Sequence, residues 1–118
     1  MAKILVVDDE PLVRRTIEAV LDDHNVVAVE SGDEALDALR ANTDIALIVC
    51  DILMPDMTGM ELYGRAGLLR SGLQALFVFV TGGTLTAETQ EFVARVENPV
   101  LRKPFTMDRL RGIVDQLT

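Results

Sequence analysis

Five short apolar runs alternate with longer amphipathic stretches along the chain. The runs span residues 2–7, 25–30, 44–50, 75–80 and 99–103. Their hydrophobicity is mostly continuous rather than alternating, which is typical of strands that are covered on both faces, as in a parallel sheet. Each run is therefore predicted to be a buried parallel strand.

The stretches between the runs have helical periodicity. Apolar side chains form one stripe in the first stretch at Val13, Ile17, Val20 and Leu21, and in the last at Leu110, Ile113, Val114 and Leu117. Spacings of three and four residues place such side chains on the same helix face. Strands joined by helical crossovers form a parallel sheet wound right-handedly, with helices on both faces.

Helix start signals agree with this alternation. Pro11 suits a first helical turn, where its missing N–H is not needed. Ser31 and Glu34 form a capping-box pattern, in which each side chain can accept a hydrogen bond from the other residue's backbone. Plausible N-caps of the later helices are Thr58, Thr86 and Thr106. The chain therefore has a start signal for each of five helices.

Polar side chains stand where four of the five runs end. Asp8 and Asp9 follow the first run, Asp51 the third and Thr81 the fourth, and Lys103 lies at the end of the fifth. Parallel strands end at the same edge of a sheet, so these side chains are expected around one crevice. The second run has no comparable cluster. This asymmetry predicts strand order 2-1-3-4-5, and hence an α/β, doubly wound (βα)5 flavodoxin-like fold with a parallel five-stranded sheet over residues 1–118.

The clustered acids indicate a cation site. Carboxylates that close cannot all stay ionised without a cation, and oxygen-only ligands with open water positions favour Mg²⁺. A zinc site is not indicated, because the chain has no cluster of His and Cys residues. The sole histidine, His24, precedes the second run and is expected to be solvated. Cys50 is expected to be a buried apolar residue. A carboxylate beside Mg²⁺ can act as a nucleophile towards phosphorus. Asp51 is the predicted nucleophile, with Lys103 and Thr81 contacting the phosphoryl group.

Composition narrows the class of protein. The chain has 118 residues, of which 49% are hydrophobic, and a net charge of −8. A strongly acidic chain is unsuited to contact nucleic acid directly, since phosphate backbones require clustered Lys and Arg. No apolar run has membrane length and no signal-peptide pattern opens the chain, so no direct membrane contact is expected. With a single cysteine, a reducing cytoplasm is the simplest location.

Four segments carry a family resemblance. "LVVDDE", "CDILMPDMTGMEL", "VTGG" and "LRKPF", in this order and spacing, resemble the receiver domain of bacterial two-component response regulators. The resemblance implies that Asp51 accepts a phosphoryl group from the phosphohistidine of a sensor histidine kinase or a histidine phosphotransfer protein. It further implies Mg²⁺ held directly by Asp9, Asp51 and the backbone carbonyl of Leu53, with Asp8 acting largely through water. A cis Lys103–Pro104 peptide is also expected.

The resemblance also implies how the domain is used. The face formed by the fourth helix, the fifth strand and the fifth helix is the expected surface for an output partner. The domain would not be an enzyme, because it assists only its own phosphoryl transfer and dephosphorylation. One departure from the family is Val100, which stands where receivers often carry an aromatic switch residue.

Glu10 lies just before the first helix. Its negative charge is expected only to interact favourably with the dipole of that helix.

Two other classes of protein are alternatives to a phosphorylated receiver. A phosphohydrolase of the haloacid-dehalogenase type needs a second acid two residues after its nucleophile, and this chain has Leu53 there. A degenerate receiver that serves only as a docking module would have lost its reactive groups, whereas the acids, Thr81 and Lys103 are all present. The chain is expected to be either a stand-alone receiver or a piece of a larger regulator or hybrid kinase.

Overall fold

A computed structural model describes residues 2–83 and 85–118, and in this part of the chain five strands alternate with five α-helices. The strands are β1 (Lys3–Val7), β2 (Asn25–Val29), β3 (Ile45–Asp51), β4 (Phe77–Thr81) and β5 (Val100–Arg102). The helices are α1 (Pro11–Val20), α2 (Gly32–Ala41), α3 (Gly59–Leu69), α4 (Ala87–Arg95) and α5 (Met107–Leu117). A 3-10 turn, Gln74–Leu76, precedes β4.

The five strands form one parallel sheet in the order β2-β1-β3-β4-β5. This confirms the predicted topology. The registers align the strand ends, since Val7 of β1 pairs with Cys50 of β3, and Asp51 of β3 pairs with Val80 of β4. The residues that follow β1 and β3 therefore begin at the same edge of the sheet, with β1 and β3 as neighbours.

Alternate strand residues fill two apolar cores, one on each face of the sheet. In β1, Leu5 and Val7 face the core covered by α2, α3 and α4, whereas Ile4 and Val6 face the core covered by α1 and α5. Both faces are buried, which explains why the strands read as continuous apolar runs. Cys50 lies fully buried in the first core, where burial raises the pKa of its thiol.

The predicted N-caps are confirmed, with one difference of detail. Thr58, Thr86 and Thr106 each accept a hydrogen bond from the backbone N–H three residues on. Ser31 does the same for Glu34, at 3.2 Å. The carboxylate of Glu34, however, accepts from the N–H of Glu30 rather than from that of Ser31. The glutamate therefore bonds the residue before the N-cap rather than the N-cap itself, because its side chain extends beyond Ser31.

The expectation that His24 is solvated was wrong. Its side chain is only 9% exposed, and its Nδ1 accepts a hydrogen bond from the Ala2 N–H at 3.0 Å. Nε2 faces carboxylates of Asp23 and Asp115, at 3.9 and 4.0 Å. The turn after α1 packs against the start of β1 and against α5, so the ring is enclosed from both sides.

Within residues 2–83 and 85–118, no helix combines the length and apolar character needed to cross a membrane.

Candidate functional site

The side chains predicted at the strand ends meet at the carboxyl edge of the sheet. Asp8 directly follows β1, Asp51 and Thr81 are the last residues of β3 and β4, and Lys103 directly follows β5. One carboxylate oxygen from each of four acids lies within 4.8 Å of the others: Asp8, Asp9, Glu10 and Asp51. The sheet thus gathers residues far apart in the sequence around one point.

Asp51 is a carboxylate held mostly out of water. It is 5% exposed, and its Oδ1 accepts a hydrogen bond from the backbone N–H of Leu53 at 3.2 Å. Burial, followed by the negative charge of Asp8, raises the pKa of Asp51 to about 6, against the opposing effects of Lys103 and the Leu53 N–H. Compared with an exposed aspartate, the neutral form of Asp51 is therefore favoured, and further positive charge nearby would favour the ionised form.

Asp8 is also buried, at 2% exposure. Burial is the main cause that raises its pKa, although a hydrogen bond from the Glu10 N–H to Oδ1, at 2.9 Å, opposes the shift. On the main-chain side, Nη1 of Arg14 donates to the carbonyl oxygen of Asp8 at 2.7 Å. Both the carboxylate and the carbonyl of Asp8 thus have assigned donors.

The ammonium of Lys103 lies among the acids. Its Nζ is 3.9 Å from Oδ2 of Asp51, 4.0 Å from Oδ2 of Asp8 and 3.8 Å from Oε1 of Glu10. The backbone N–H of Lys103 donates to the Thr81 carbonyl at 2.7 Å, and the Lys103–Pro104 peptide is cis, as expected. These distances are those of ion pairs without close hydrogen bonds, which leaves the ammonium able to contact a further anion between the carboxylates.

Close packing brings the Lys103 stem to this position. A Cβ added at Gly82 would lie 3.0 Å from Cδ of Lys103 and 3.1 Å from its Cβ. Glycine after β4 therefore allows the lysine stem to pass close to the backbone.

Thr81 presents an unused hydroxyl. The residue is 1% exposed, and Oγ1 is buried without a hydrogen-bond partner among the residues that the structure describes. A buried polar group left unpaired costs about 1–3 kcal/mol. This unpaired hydroxyl lies at the same sheet edge as Asp51 and Lys103 and is suited to donate a hydrogen bond to a ligand oxygen.

Two residues at this edge of the sheet, Glu10 and Gly59, were not predicted from the sequence to belong to the site. Glu10 was expected only as a helix-dipole partner, yet its carboxylate joins the acid cluster and faces Lys103. Its adjacency to the Asp pair was the available signal. At Gly59, a Cβ would lie 2.7 Å from the carbonyl oxygen of Asp51. The start of α3 thus packs directly on the end of β3, and the only sequence signal was a glycine following the Thr58 cap.

The donors present fit a hard divalent cation. They are carboxylate oxygens of three consecutive residues after β1 and of one residue at the end of the neighbouring strand β3. Their mutual repulsion is offset only in part by Lys103. Within the described ranges, this is the one group of three or more acidic, His or Cys side chains with this proximity. Oxygen ligands with room for water suit Mg²⁺.

Comparisons with known proteins show which family and which solved structures the chain is similar to. Residues 4–115 match the family described as "Response regulator receiver domain". A chemotaxis protein CheY homolog from Campylobacter jejuni subsp. jejuni is 32% identical over 112 residues, covering 92% of this chain and 86% of that protein. A response regulator receiver domain protein from Clostridium thermocellum superposes with a TM-score of 0.83 and 26% identity, over 99% of this chain and 94% of that one. The response regulator TrrA from Thermotoga maritima, solved in complex with Mg(2+)-BeF, gives a TM-score of 0.79 and 25% identity, over 100% of both chains.

Proposed function

Because this chain belongs to the response regulator receiver domain family, we propose that it is a phosphorylation-activated switch whose phosphoacceptor is Asp51. The observation that carries the proposal is the position of Asp51. It is a buried carboxylate at the end of β3, with its Oδ2 3.9 Å from the Lys103 ammonium and acids of the β1–α1 loop beside it. Burying a carboxylate costs free energy, and carboxylates with raised pKa values are common where the group takes part in a reaction.

The reaction follows from the groups at this edge. A carboxylate oxygen of Asp51 attacks the phosphorus of a phosphohistidine, and the P–N bond breaks as the O–P bond forms. The electron pair of the broken bond returns to the imidazole nitrogen of the donor, which takes up a proton. The Lys103 ammonium stabilises charge on the phosphoryl oxygens, and the free Thr81 hydroxyl donates a hydrogen bond to one of them. The product is an aspartyl phosphate on Asp51.

The acids of the cluster would hold the cation. Asp9, Asp51 and the backbone carbonyl of Leu53 are the proposed direct ligands of Mg²⁺, and Asp8 acts largely through water. When bound, Mg²⁺ would supply positive charge to the oxygens that become negative during transfer. The Thermotoga maritima response regulator of the same fold was solved in complex with Mg(2+)-BeF, which supports a Mg²⁺ site in this chain.

Family membership implies a histidine kinase as the source of the phosphoryl group. The immediate donor would be the phosphohistidine of such a kinase or of a histidine phosphotransfer protein. The face formed by α4, β5 and α5 would contact the output partner. The domain would catalyse only its own phosphorylation and dephosphorylation and would act in the cytoplasm.

Intact-mass measurement after incubation with Mg²⁺ and a small phosphodonor, such as acetyl phosphate, tests the proposal. We expect one phosphate adduct on the wild-type protein and none on Asp51→Asn. Asp56→Asn is the matched control, because Asp56 is an exposed turn carboxylate five residues away, and its left-handed backbone (φ 68°) accommodates asparagine. This variant should keep the adduct. An adduct retained by Asp51→Asn, or none on wild type with small or phosphohistidine donors, would contradict the proposal.

A further inference from the structure

Two adjacent arginines on α1 have different surroundings. Arg14 is 18% exposed at its side chain, its Nη1 donates to the carbonyl oxygen of Asp8 at 2.7 Å, and its Nη2 lies 3.9 Å from Oε2 of Glu30. Arg15 is exposed, and its side chain takes part in none of the hydrogen bonds or ion pairs found within residues 2–83 and 85–118. Arg14 is thus bonded to the β1–α1 loop, whereas Arg15 carries the same charge on the same helix without that bond.

The hydrogen bond from Arg14 holds the carbonyl of Asp8, which makes no hydrogen bond within the sheet in the described part of the chain. The N–H of Asp8 donates to the Val29 carbonyl at 3.2 Å, so one side of the residue is tied to β2. Its carbonyl lies beyond the end of β1, where Arg14 is the donor. The carbonyl of Asp8 and the nitrogen of Asp9 belong to one planar peptide unit. The guanidinium therefore sets the plane from which the Asp9 side chain extends.

The same bond bears on the Asp8 carboxylate. Its Oδ1 accepts from the Glu10 N–H at 2.9 Å, and its Oδ2 faces the Lys103 ammonium at 4.0 Å. The contacts of the main chain fix where the Asp8 side chain begins, and the contacts of the carboxylate fix where it ends. Glu30, which follows β2, lies 3.9 Å from the Nη2 of Arg14 and offsets its positive charge.

We propose that Arg14 is a positioning residue of the acid site, which orients the Asp8–Asp9 peptide so that the carboxylates converge on Mg²⁺. The inference rests on the proposed function, because it assumes that the cluster binds Mg²⁺. Arg14 acts through the main chain and does not contact the ion. Hydrogen-bonding partners behind metal ligands commonly affect metal affinity by about 10–100-fold when they are removed.

Charge and position predict opposite effects, which makes the inference testable. Removing a positive charge near a cation site strengthens cation binding if electrostatics alone matters. Removing a bond that orients the ligands weakens it. For Arg14→Gln we expect Mg²⁺ affinity, measured by isothermal titration calorimetry, to fall about tenfold. Arg15→Gln removes the same charge from the exposed neighbour and should stay within about twofold of wild type, on the basis that exposed charges are well screened.

A second variant separates geometry from charge and folding. Arg14→Lys keeps the charge, but its compact ammonium lacks the planar fork that spans the Asp8 carbonyl and Glu30. It should also bind Mg²⁺ more weakly than wild type. In the metal-free state, the amide resonance of Asp9 in ¹⁵N–¹H spectra should move in both Arg14 variants and not in Arg15→Gln. Wild-type affinity in Arg14→Lys, or equal or tighter binding in Arg14→Gln, would overturn the inference.

The outcomes keep the two proposals apart. If the wild-type protein binds no Mg²⁺, the metal site of the proposed function fails. If wild type binds Mg²⁺ and accepts the phosphate while folded Arg14 variants bind like wild type, only the role of Arg14 fails. Urea unfolding midpoints in EDTA establish that each variant is folded before titration.

Discussion

At the scale of single residues, Asp51 is a carboxylate in surroundings that oppose its ionisation. It ends a strand that is otherwise apolar, it is 5% exposed, and its nearest cationic group, Lys103, stays 3.9 Å away. The free energy of its ionised form is therefore raised in the protein without metal. This is a property of the site that can be measured without any partner.

The pH dependence of stability should report this property. Burial and then the charge of Asp8 raise the pKa of Asp51 to about 6, above the value of about 3.9 for an unfolded chain. The folded protein thus binds this proton more tightly. The resulting stabilisation is fully present below the unfolded value and is lost as the pH rises through about 6. In EDTA, we expect the unfolding free energy of wild type to fall by roughly 2–3 kcal/mol, relative to Asp51→Asn, between about pH 4 and pH 7.

Urea denaturation across this pH range measures the difference. Asp56→Asn, which alters an exposed turn carboxylate, should follow the wild-type curve. A difference between wild type and Asp51→Asn that does not change with pH would mean that Asp51 ionises normally in the folded protein.

At the scale of elements, α3 shows why identical residues in one helix differ in importance. Gly59, at its start, packs on the end of β3, where an added Cβ would lie 2.7 Å from the Asp51 carbonyl oxygen and 2.8 Å from Cα of Ile52. Gly64, in the middle, has no heavy atom within 4 Å of such a Cβ. The first glycine permits a contact between elements, whereas the second only lowers helix propensity.

Alanine substitutions should therefore have opposite signs. Gly59→Ala forces backbone atoms of β3 and α3 apart, and we expect it to lower the unfolding free energy by about 1–3 kcal/mol. Gly64→Ala meets no obstacle and should raise it by about 0.5–1 kcal/mol, because alanine loses less backbone entropy in a helix. Urea unfolding of the two variants beside wild type tests both values. Equal effects would show that packing against β3 is not what requires Gly59.

At the scale of the whole molecule, the net charge of −8 is concentrated in part at one edge of the sheet. Asp9 and Glu10 there belong to the β1–α1 loop, and Asp51 belongs to the neighbouring strand β3. A cation bound by both segments would favour the folded state, because the unfolded chain does not bring them together. Metal binding is thus linked to global stability.

Mg²⁺ should accordingly stabilise the protein, and Asp9 should be needed for this. At a free Mg²⁺ concentration about 100 times the dissociation constant, the unfolding free energy should rise by about 2.7 kcal/mol. Asp9→Asn should lose most of this increment. Asp22→Asn, which changes an exposed acid in the turn after α1, should keep it. Thermal or urea unfolding with and without Mg²⁺ measures the increment, and an equal response of both variants would argue against Asp9 as a ligand.

Much of this architecture follows from local sequence pattern. Continuous apolar runs and helical stripes identified the five strands and five helices, and threonine caps marked three helix starts. The strand order followed from the polar residues at the ends of four strands and their lack at the second, which placed that strand at an edge of the sheet. Periodicity reports burial, and burial is sufficient to place elements in this fold class.

Only the tertiary structure decided which side chains and elements contact one another. The carboxylate of Glu10 joined the cluster, the His24 ring was enclosed by β1 and α5, Gly59 came against Asp51, and Arg14 donated to the Asp8 carbonyl. Local pattern was insufficient for any of them, since each depends on how one element packs against the next. The sequence by itself thus determined the elements, their order and the group of polar side chains at the sheet edge. Three-dimensional packing determined the distances between these side chains, their pKa values and the residues that hold them in place.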